Sequence, residues 1–569
     1  MDYKYETTVG AKKINFLMGI AGGIQLKKLK KAGKNCAKTE EQTLRSILEY
    51  AKDSEWGKAH SFDKILAAPD AATLYKLWRE NVPPADYEDF RPFIDRCKNG
   101  EENILYPGKA MMYATTSGTT GQPKWIPITP EYYNNVYSKM TKLWLYSFMM
   151  HRPKVFYGRD LSVVGKAVEG QAPDGTVYGS VSGVTRRDVP AFIDKLHSAP
   201  YEVCTIEDYH SRFNTLIRIG LGQNVGSMIT ANPSTVAELV KTVNENFDDF
   251  VDQIEKGTLN PEYKMDPETR AIIESKLTPN PARAQCLRDL KAKYGELYPK
   301  HYWPNLVFLT TWKCGNTKSY MGKFNEWFNS DMLHQEFGYF ASECRAGLVL
   351  NGQDDTVLFP HMHYFEFVRE EDSEKEDKEF LNLSQLEKGK RYIIYVTTFA
   401  GLYRYCMNDI IECTGFFEQI PTIQFIMKTN GIVSMTGEKI HETQFINAVR
   451  VAEKETGYST KMFVGFADLS ISAYHFFYEF EDNSLGKEAA EKMTQIVDRV
   501  LGEENVEWKC KRDTERVKDP VSHVLKANSM DAFKEEWISL GKSREGQFKL
   551  NVLMQNDKAL EIFKTLEVK

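Results

Sequence analysis

The chain has 569 residues, more than a single hydrophobic core usually serves, so at least two domains are expected. Its composition, 42% hydrophobic and 27% charged, is that of a globular protein, and a net charge of −6 offers nothing to a polyanion, which disfavours nucleic-acid binding. The nine cysteines (Cys36, Cys97, Cys204, Cys286, Cys314, Cys344, Cys406, Cys413 and Cys510) are odd in number, scattered and free of any Cys-x-x-Cys pair, which argues against a disulfide framework or a zinc cluster and for a reducing cytoplasm.

In chain order, residues 14–26 have the apolarity of a signal-peptide core. They lack a convincing cleavage site and run into the basic stretch 27–34, so they read as a first amphipathic helix. No run is long enough to span a bilayer, and no membrane partner is expected. Residues 39–51 and 130–150 have helical periodicity, 110–114 form a short apolar strand, and 305–312, 356–368 and 391–397 are β-branched and aromatic enough to be strands. The almost wholly charged stretch 369–379 reads as a solvated loop.

After Lys428 the elements become smaller: strand 431–436, helix 441–456, strands 461–467 and 473–480, helix 487–501. The Lys428-Thr429-Asn430-Gly431 stretch has turn chemistry. The expected architecture is α/β, with a large domain over residues 1–428 and a small α+β domain over 429–569.

Between the first strand and the helix at 130 lies Thr-Thr-Ser-Gly-Thr-Thr-Gly-Gln-Pro-Lys, residues 115–124. Three hydroxyls and two glycines within 117–121 let backbone N–H groups converge on anionic oxygens, and Lys124 adds a positive charge, so the stretch reads as a grip on the phosphates of ATP. It does not have the glycine-to-lysine spacing of a Walker loop.

Two further segments carry suitable chemistry. Gly-Tyr-Phe-Ala-Ser-Glu, residues 338–343, offers aromatic faces for a purine and, in Glu343, a carboxylate for magnesium. Thr-Thr-Phe-Ala-Gly-Leu-Tyr-Arg-Tyr-Cys-Met-Asn-Asp, residues 397–409, ends in a carboxylate that could accept hydrogen bonds from both ribose hydroxyls. The bland alternative is that Asp409 caps a turn and Arg404 pairs with a carboxylate.

Taken together and in order, these segments resemble the acyl-acid amido synthetases of the plant auxin-responsive promoter (Gretchen Hagen) family, within the adenylate-forming superfamily. Over most of the chain, the resemblance is carried by the loop Thr116 to Lys124 and by residues 236–260 with their Glu-Asn-Phe…Lys-Gly-Thr-Leu-Asn ending. Further on it runs through Trp303-Pro304-Asn305, Ala341-Ser342-Glu343-Cys344, Tyr364-Phe365-Glu366-Phe367, residues 397–409, Thr414-Gly415-Phe416, and Lys439 with Glu442.

The resemblance implies a large N-terminal adenylate-forming domain of layered sheets and helices, a small mobile C-terminal domain, and a nucleotide between them. By position it assigns Thr116, Ser117, Gly118, Thr119, Thr120, Gly121 and Lys124 to phosphate; Tyr339, Phe340, Ala341 and Ser342 to adenine; Asp409 to ribose; Glu343 to magnesium; and Lys428, Asn430 and Gly431 to the hinge. Lys549, in a Gly-Gln-Phe-Lys run similar to the family's terminal Gln-Tyr-Lys, becomes the catalytic candidate.

The implied activity adenylates a small carboxylic acid with ATP and passes the acyl group to an amino acid amine. An acyl-CoA ligase and a catalytically silent binding protein stay open as alternatives, and oligomeric state is not legible. The chain departs from the family at Cys406 (usually arginine), Asn408 (usually glycine), Lys428 (usually arginine) and Leu550-Asn551 (usually Pro-Arg). Asparagine tolerates positive φ, which softens the second departure.

Three other patterns fail. The glycine spacing over residues 220–226 is one residue too long for a dinucleotide fingerprint and reads as a loop; His361 and His363 lack a third metal ligand; and 179–183 meets the hydrolase Gly-x-Ser-x-Gly pattern only loosely. An acyl pocket is expected from Trp303 to Tyr339 and along the helix after the phosphate loop, with Trp312, Tyr320, Phe324, Trp327, Tyr132 and Tyr133 as candidate walls.

Overall fold

The computed structural model describes residues 7–8, 10–116, 124–313, 321–350, 352, 354–373, 375–428, 432–540 and 552–568. The chain divides into two compact units, the first running to Met427 and the second beginning at Lys428.

In the first unit, helices Ala11–Gly33, Cys36–Ala51, Ala71–Asn81 and Tyr87–Lys98 precede the sheets. The starts of the last three are chemically marked: Asn35, Asp70 and Asp86 each accept a backbone N–H of the first turn, and Asp86 with Asp89 completes a capping box. The helix expected at 130–150 is one continuous rod in three pieces, Pro130–Tyr132, a π-turn over Tyr133–Tyr137, and Ser138–His151, with Thr129 as its cap. A π-turn widens the helix locally and re-aims the side chains around it.

Three sheets follow. In the first, Arg159–Ser162, Val225–Ile229, Phe308–Thr311 and Leu333–Glu336 lie parallel in that order. The second and third of these strands are buried at every position, as expected where helices cover both faces. Residues 220–226, expected as a loop, instead close the helix Tyr209–Leu221 and open the strand Val225–Ile229, with only 222–224 between them. Gly220 there lets Trp303 approach, and the Trp303 Nε1–H donates to the Gly220 carbonyl at 2.9 Å.

The second sheet orders Lys124–Ile128, Met112–Thr116, Val177–Gly179 and Gly170–Gln171. The third orders Tyr364–Arg369, Arg391–Thr397, Tyr405–Phe417, Ile420–Lys428, Thr356–Leu358 and Gly347–Val349, with the first three antiparallel to one another in turn and the last three likewise. The single strand expected at 356–368 is thus two, in separate places of this sheet. Pro360 has no N–H for a ladder, and the chain turns at 360–362.

In the second unit, Val521–Val524, Ala473–Phe480, Thr460–Asp468 and Leu553–Met554 form a sheet in that order, covered by Glu442–Thr456 and Lys487–Glu504 over a core that includes Phe445, Tyr478 and Val497. Of the strand expected at 431–436, Gly431 lies outside the described residues, and among the described ones Ile432–Val433 is strand.

One buried acid in the first unit ties stability to pH. Glu40 on Cys36–Ala51 is fully buried, and its Oε1 accepts the Leu383 N–H at 2.9 Å. Among the described residues its Oε2 has no hydrogen-bond partner. Burial pushes this carboxyl from an ordinary 4.5 up to about 8, against the opposing pull of the Leu383 amide and Arg79. Between those values the folded chain holds a proton that the unfolded chain has lost, so stability falls as pH rises through the window, by up to about 1.4 kcal/mol per pH unit. Glu40→Gln should flatten that decline in urea midpoints measured from pH 5 to 8; parallel curves for the two proteins would refute a buried, protonated Glu40.

Candidate functional site

The strands Met112–Thr116 and Lys124–Ile128 form a hairpin whose closing pair is Thr116 opposite Lys124. Ser117, Gly118, Thr119, Thr120 and Gly121 lie outside the described residues, but both of the loop's anchors are in place. Lys124 is buried, and its Nζ donates to the Tyr405 hydroxyl at 3.1 Å, with the Tyr87 and Tyr405 rings at 5.6 and 5.8 Å. The Tyr405 hydroxyl is also 3.4 Å from Glu343 Oε1. A lysine assigned to phosphate and a carboxylate assigned to magnesium are therefore one hydroxyl apart. Burial and the neighbouring Glu343 both raise the Tyr405 pKa well above the usual phenol range, so the hydroxyl keeps its proton.

Tyr339 to Glu343 come directly after Leu333–Glu336, at the carboxyl end of the parallel sheet, where open α/β sheets place their ligands. The chain turns there through Gly338 at φ +103°, where a Cβ would lie 2.8 Å from the Gly347 carbonyl oxygen. Tyr339 is buried and its hydroxyl donates to Asp409 Oδ2, so residues assigned to adenine and to ribose are in direct contact. Phe340 packs against Trp144 at 5.7 Å and Phe337 at 5.2 Å. Ala341 and Ser342 are half-buried within the tight turn closed by the Ala341 N–H to the Cys344 carbonyl at 2.9 Å.

Asp409 sits on a bulge. Ile393 faces Ile410 and Tyr395 faces Cys406, which leaves Met407, Asn408 and Asp409 opposite the single residue Ile394. Asn408 takes φ +54°, the left-handed conformation for which asparagine is suited, and Arg404 takes φ +46°. The Arg404 alternative is realised: its guanidinium, 2% exposed, meets Glu366 at 2.8 Å and donates to the Val82 carbonyl at 2.8 Å. Glu366 also accepts from Arg79 at 2.9 Å and from the Trp78 indole at 3.1 Å.

Sequence reasoning gave no role to Arg345. Its guanidinium lies 3.5 Å from the Tyr137 ring centroid and 4.7 Å from that of Phe340, donates to Thr141 Oγ1 at 3.0 Å and bonds the Tyr137 hydroxyl. Burial lowers its pKa. A signal was available, since an arginine two residues after Glu343 in an aromatic segment is unusual core material. Of the expected acyl-pocket walls, Trp303, Phe324 and Trp327 belong to the core around the parallel sheet. Tyr320 lies outside the described residues. Tyr132 accepts the Arg345 N–H at 3.1 Å, Tyr133 stacks on Tyr137 at 5.6 Å, and Trp312 packs on Phe337 at 6.0 Å.

Asn430, Gly431 and Lys549 lie outside the described residues, and Lys428 ends the strand Ile420–Lys428. Within the second unit, Glu442 accepts the Val552 N–H at 2.5 Å, and the buried Glu438 accepts the Met435 and Thr436 amides. His361 and His363 lie at a turn, both lowered to about 4 by burial, and His363 Nε2 is 2.8 Å from the Arg345 carbonyl oxygen. Ser180 caps the helix Val181–Arg187. Among the described residues no group of three or more His, Cys, Asp or Glu side chains is arranged to hold a metal ion.

Models of the GH3 family match the chain in three parts: the N-terminal domain over residues 25–333, the central domain over 356–428 and the C-terminal domain over 443–558. The chain is 24% identical over 522 residues to the 4-substituted benzoates-glutamate ligase GH3.12 of Arabidopsis thaliana, covering 87% of this chain and 90% of that one. To the indole-3-acetic acid-amido synthetase GH3.8 of Oryza sativa subsp. indica it is 25% identical over 416 residues, covering 67% and 66%. Among solved structures, the GH3.15 acyl acid amido synthetase superposes with a TM-score of 0.63 at 22% identity over 96% of both chains. A 2-hydroxyisobutyryl-CoA ligase bound to 2-HIB-AMP and CoA superposes with a TM-score of 0.50 at 13% identity, covering 92% and 91%.

Removing Arg404 would leave the Glu366 carboxylate buried with one charged partner fewer. Arg404→Met should therefore cost about 3 kcal/mol in denaturant unfolding. An unchanged midpoint would mean that Arg79 and Trp78 alone satisfy Glu366.

Proposed function

Because the chain belongs to the GH3 family, we propose that it is an ATP-dependent ligase that joins a small carboxylic acid to the amine of an amino acid through an acyl-adenylate. The observation that carries this reading is the convergence of Lys124, Tyr405 and Glu343 beside the Tyr339–Asp409 pair, at the carboxyl end of the parallel sheet. The relatives' names supply the reaction class, a ligase of benzoates with glutamate and an amido synthetase of indole-3-acetic acid.

In the first step a carboxylate oxygen attacks the α-phosphorus, the bond to the β-phosphate oxygen breaks, and pyrophosphate leaves. The obstacle is anion meeting anion. Thr116, Lys124 and the loop at 117–121 would hold the phosphates, Phe340, Ala341 and Ser342 would border the base, and Asp409, oriented by the Tyr339 hydroxyl, would take the ribose. Glu343 is a half-buried carboxylate facing Tyr405, and a single carboxylate suits an ion carried mainly by nucleotide phosphates; magnesium held there would supply charge neutralisation. Lys549 is the proposed donor to charge developing in the transition state. Lys428, Asn430 and Gly431 form the proposed hinge, which needs only a few residues to absorb backbone change.

In the second step the amine attacks the acyl carbon, AMP leaves and the nitrogen loses a proton, so the product is an amide and no covalent enzyme intermediate is needed. The acid would lie against Tyr133, Tyr137 and Trp144, with Arg345 as the cation nearest its polar end. The eight described cysteines are free thiols, which suits the proposed cytoplasmic location. Transfer to CoA rather than an amine is the second reading, favoured only by the fold shared with a CoA ligase.

ATP–pyrophosphate exchange with a panel of aryl, indolyl and aliphatic acids, followed by AMP release with amino acids or CoA, tests the scheme. Lys549→Ala should lose about 100- to 1,000-fold in exchange with ATP binding kept. Unchanged exchange removes Lys549 from the mechanism, and no exchange with any acid leaves a binding protein. Run on Gly431→Pro, the same assays should show slowed overall turnover if the hinge is correctly assigned.

Arg345→Met should raise KM for the acid at least about tenfold while leaving KM for ATP near its wild-type value. Equal changes in both would make Arg345 a structural support for Phe340.

A further inference from the structure

The first helix, Ala11–Gly33, presents two unlike faces. Its inner face is apolar and packed: Ile14, Met18 and Leu29 are buried, Gly22 lets Tyr146 of the helix Ser138–His151 lie against the backbone, and Asn15 donates to the Pro153 carbonyl at 2.8 Å. The helix expected over residues 14–26 is thus packed into the first unit.

Its outer face is unusual. Phe16, Leu17, Ile20 and Ile24 are 67%, 42%, 49% and 49% exposed, a contiguous apolar stripe over the middle turns. Lysines bracket that stripe along the axis, Lys12 and Lys13 before it and five more between Lys27 and Lys34, all exposed. Residues 11–34 hold seven lysines and no acidic residue, in a chain whose net charge is −6. The neighbouring helix adds Lys139, close to Lys28, and Lys142; of the acidic side chains nearby, Glu131 lies near Lys139 and Glu418 near Gly33 at the helix end.

We infer that the outer face of Ala11–Gly33 docks this protein on an anionic lipid bilayer, with the helix lying in the interface. An exposed apolar stripe enters the headgroup–acyl boundary, and long lysine side chains at both ends reach back to lipid phosphates. The helix is about 35 Å long and lies flat rather than crossing, since no described helix is long and apolar enough to span a membrane. Charge decides between occupants. A second copy packed helix to helix would set lysines against lysines, and a polynucleotide would leave the apolar stripe wet. Phosphatidylserine-type surfaces satisfy both the lysines and the stripe, and they occur on the cytoplasmic leaflet.

Vesicle flotation of the full-length protein tests this at near-physiological salt, with phosphatidylcholine vesicles made with and without phosphatidylserine. Binding should require phosphatidylserine and weaken as salt rises. Phe16→Ser with Ile20→Ser, and separately Lys27→Gln with Lys28→Gln and Lys31→Gln, should each reduce it about tenfold or more. All these positions are exposed, so circular dichroism and pyrophosphate exchange should match wild type and confirm folding. The proposal is overturned if wild type ignores anionic vesicles, if the apolar variant floats like wild type, or if wild type is a dimer in solution that the apolar variant converts to monomer without any lipid binding.

Discussion

The Glu366 carboxylate is the fixed point from which the candidate site is built. It is 1% exposed, a position costly for a charge, and it is kept there by three donors from two parts of the chain, Trp78 and Arg79 on one helix and Arg404 on the turn before Tyr405. A buried pair of this kind gives little net stability over an apolar replacement, because desolvation consumes most of the Coulombic gain. What it provides is position. Arg404 cannot leave without stranding Glu366, so the turn bearing Tyr405, Asn408 and Asp409 has one place to be.

From that anchor the polar groups follow in short links. Tyr405 reaches Lys124 on one side and Glu343 on the other, and Asp409 reaches Tyr339. The lysine comes from a hairpin, the glutamate and tyrosine from the end of a parallel sheet, and the aspartate from an antiparallel sheet. No one element could hold cation and anions at this separation. The backbone departs from regular geometry here: Gly338, Arg404 and Asn408 have positive φ, and the bulge opposite Ile394 lifts Asp409 out of the regular ladder. Arg404 is held in that conformation by its Nε and one terminal nitrogen, bonded to Glu366 and the Val82 carbonyl, and by its N–H, donated to Thr397 Oγ1 at 2.9 Å.

Much of this was legible in the sequence, for reasons of backbone chemistry. A left-handed residue needs glycine or a short polar side chain, so Asn408 announced its conformation by type. Strands such as Arg391–Thr397 and Ala473–Phe480 are marked by β-branched and aromatic runs that helices do not favour. What stayed hidden was pairing between distant segments. Nothing local to Glu366 says that its partners lie at positions 78, 79 and 404, and the unusual place of Arg345 in an aromatic segment does not say that Tyr137 and Phe340 close over it. Exposure was hidden too: the apolar stretch 14–26 had to be buried somewhere, and only the packing against Ser138–His151 shows that half of it is not.

That packing joins the surface to the site. Ser138–His151 turns one side to the buried face of Ala11–Gly33 through Tyr146, and another to the proposed acid site through Thr141 and Trp144. Packed helices lie about 8–10 Å apart, and their interiors are too dense to absorb displacement silently. The π-turn just before Ser138 widens the same helix where Tyr137 meets Arg345. A helix seated at a bilayer interface would therefore be a single helix layer away from the aromatic residues assigned to the acyl group.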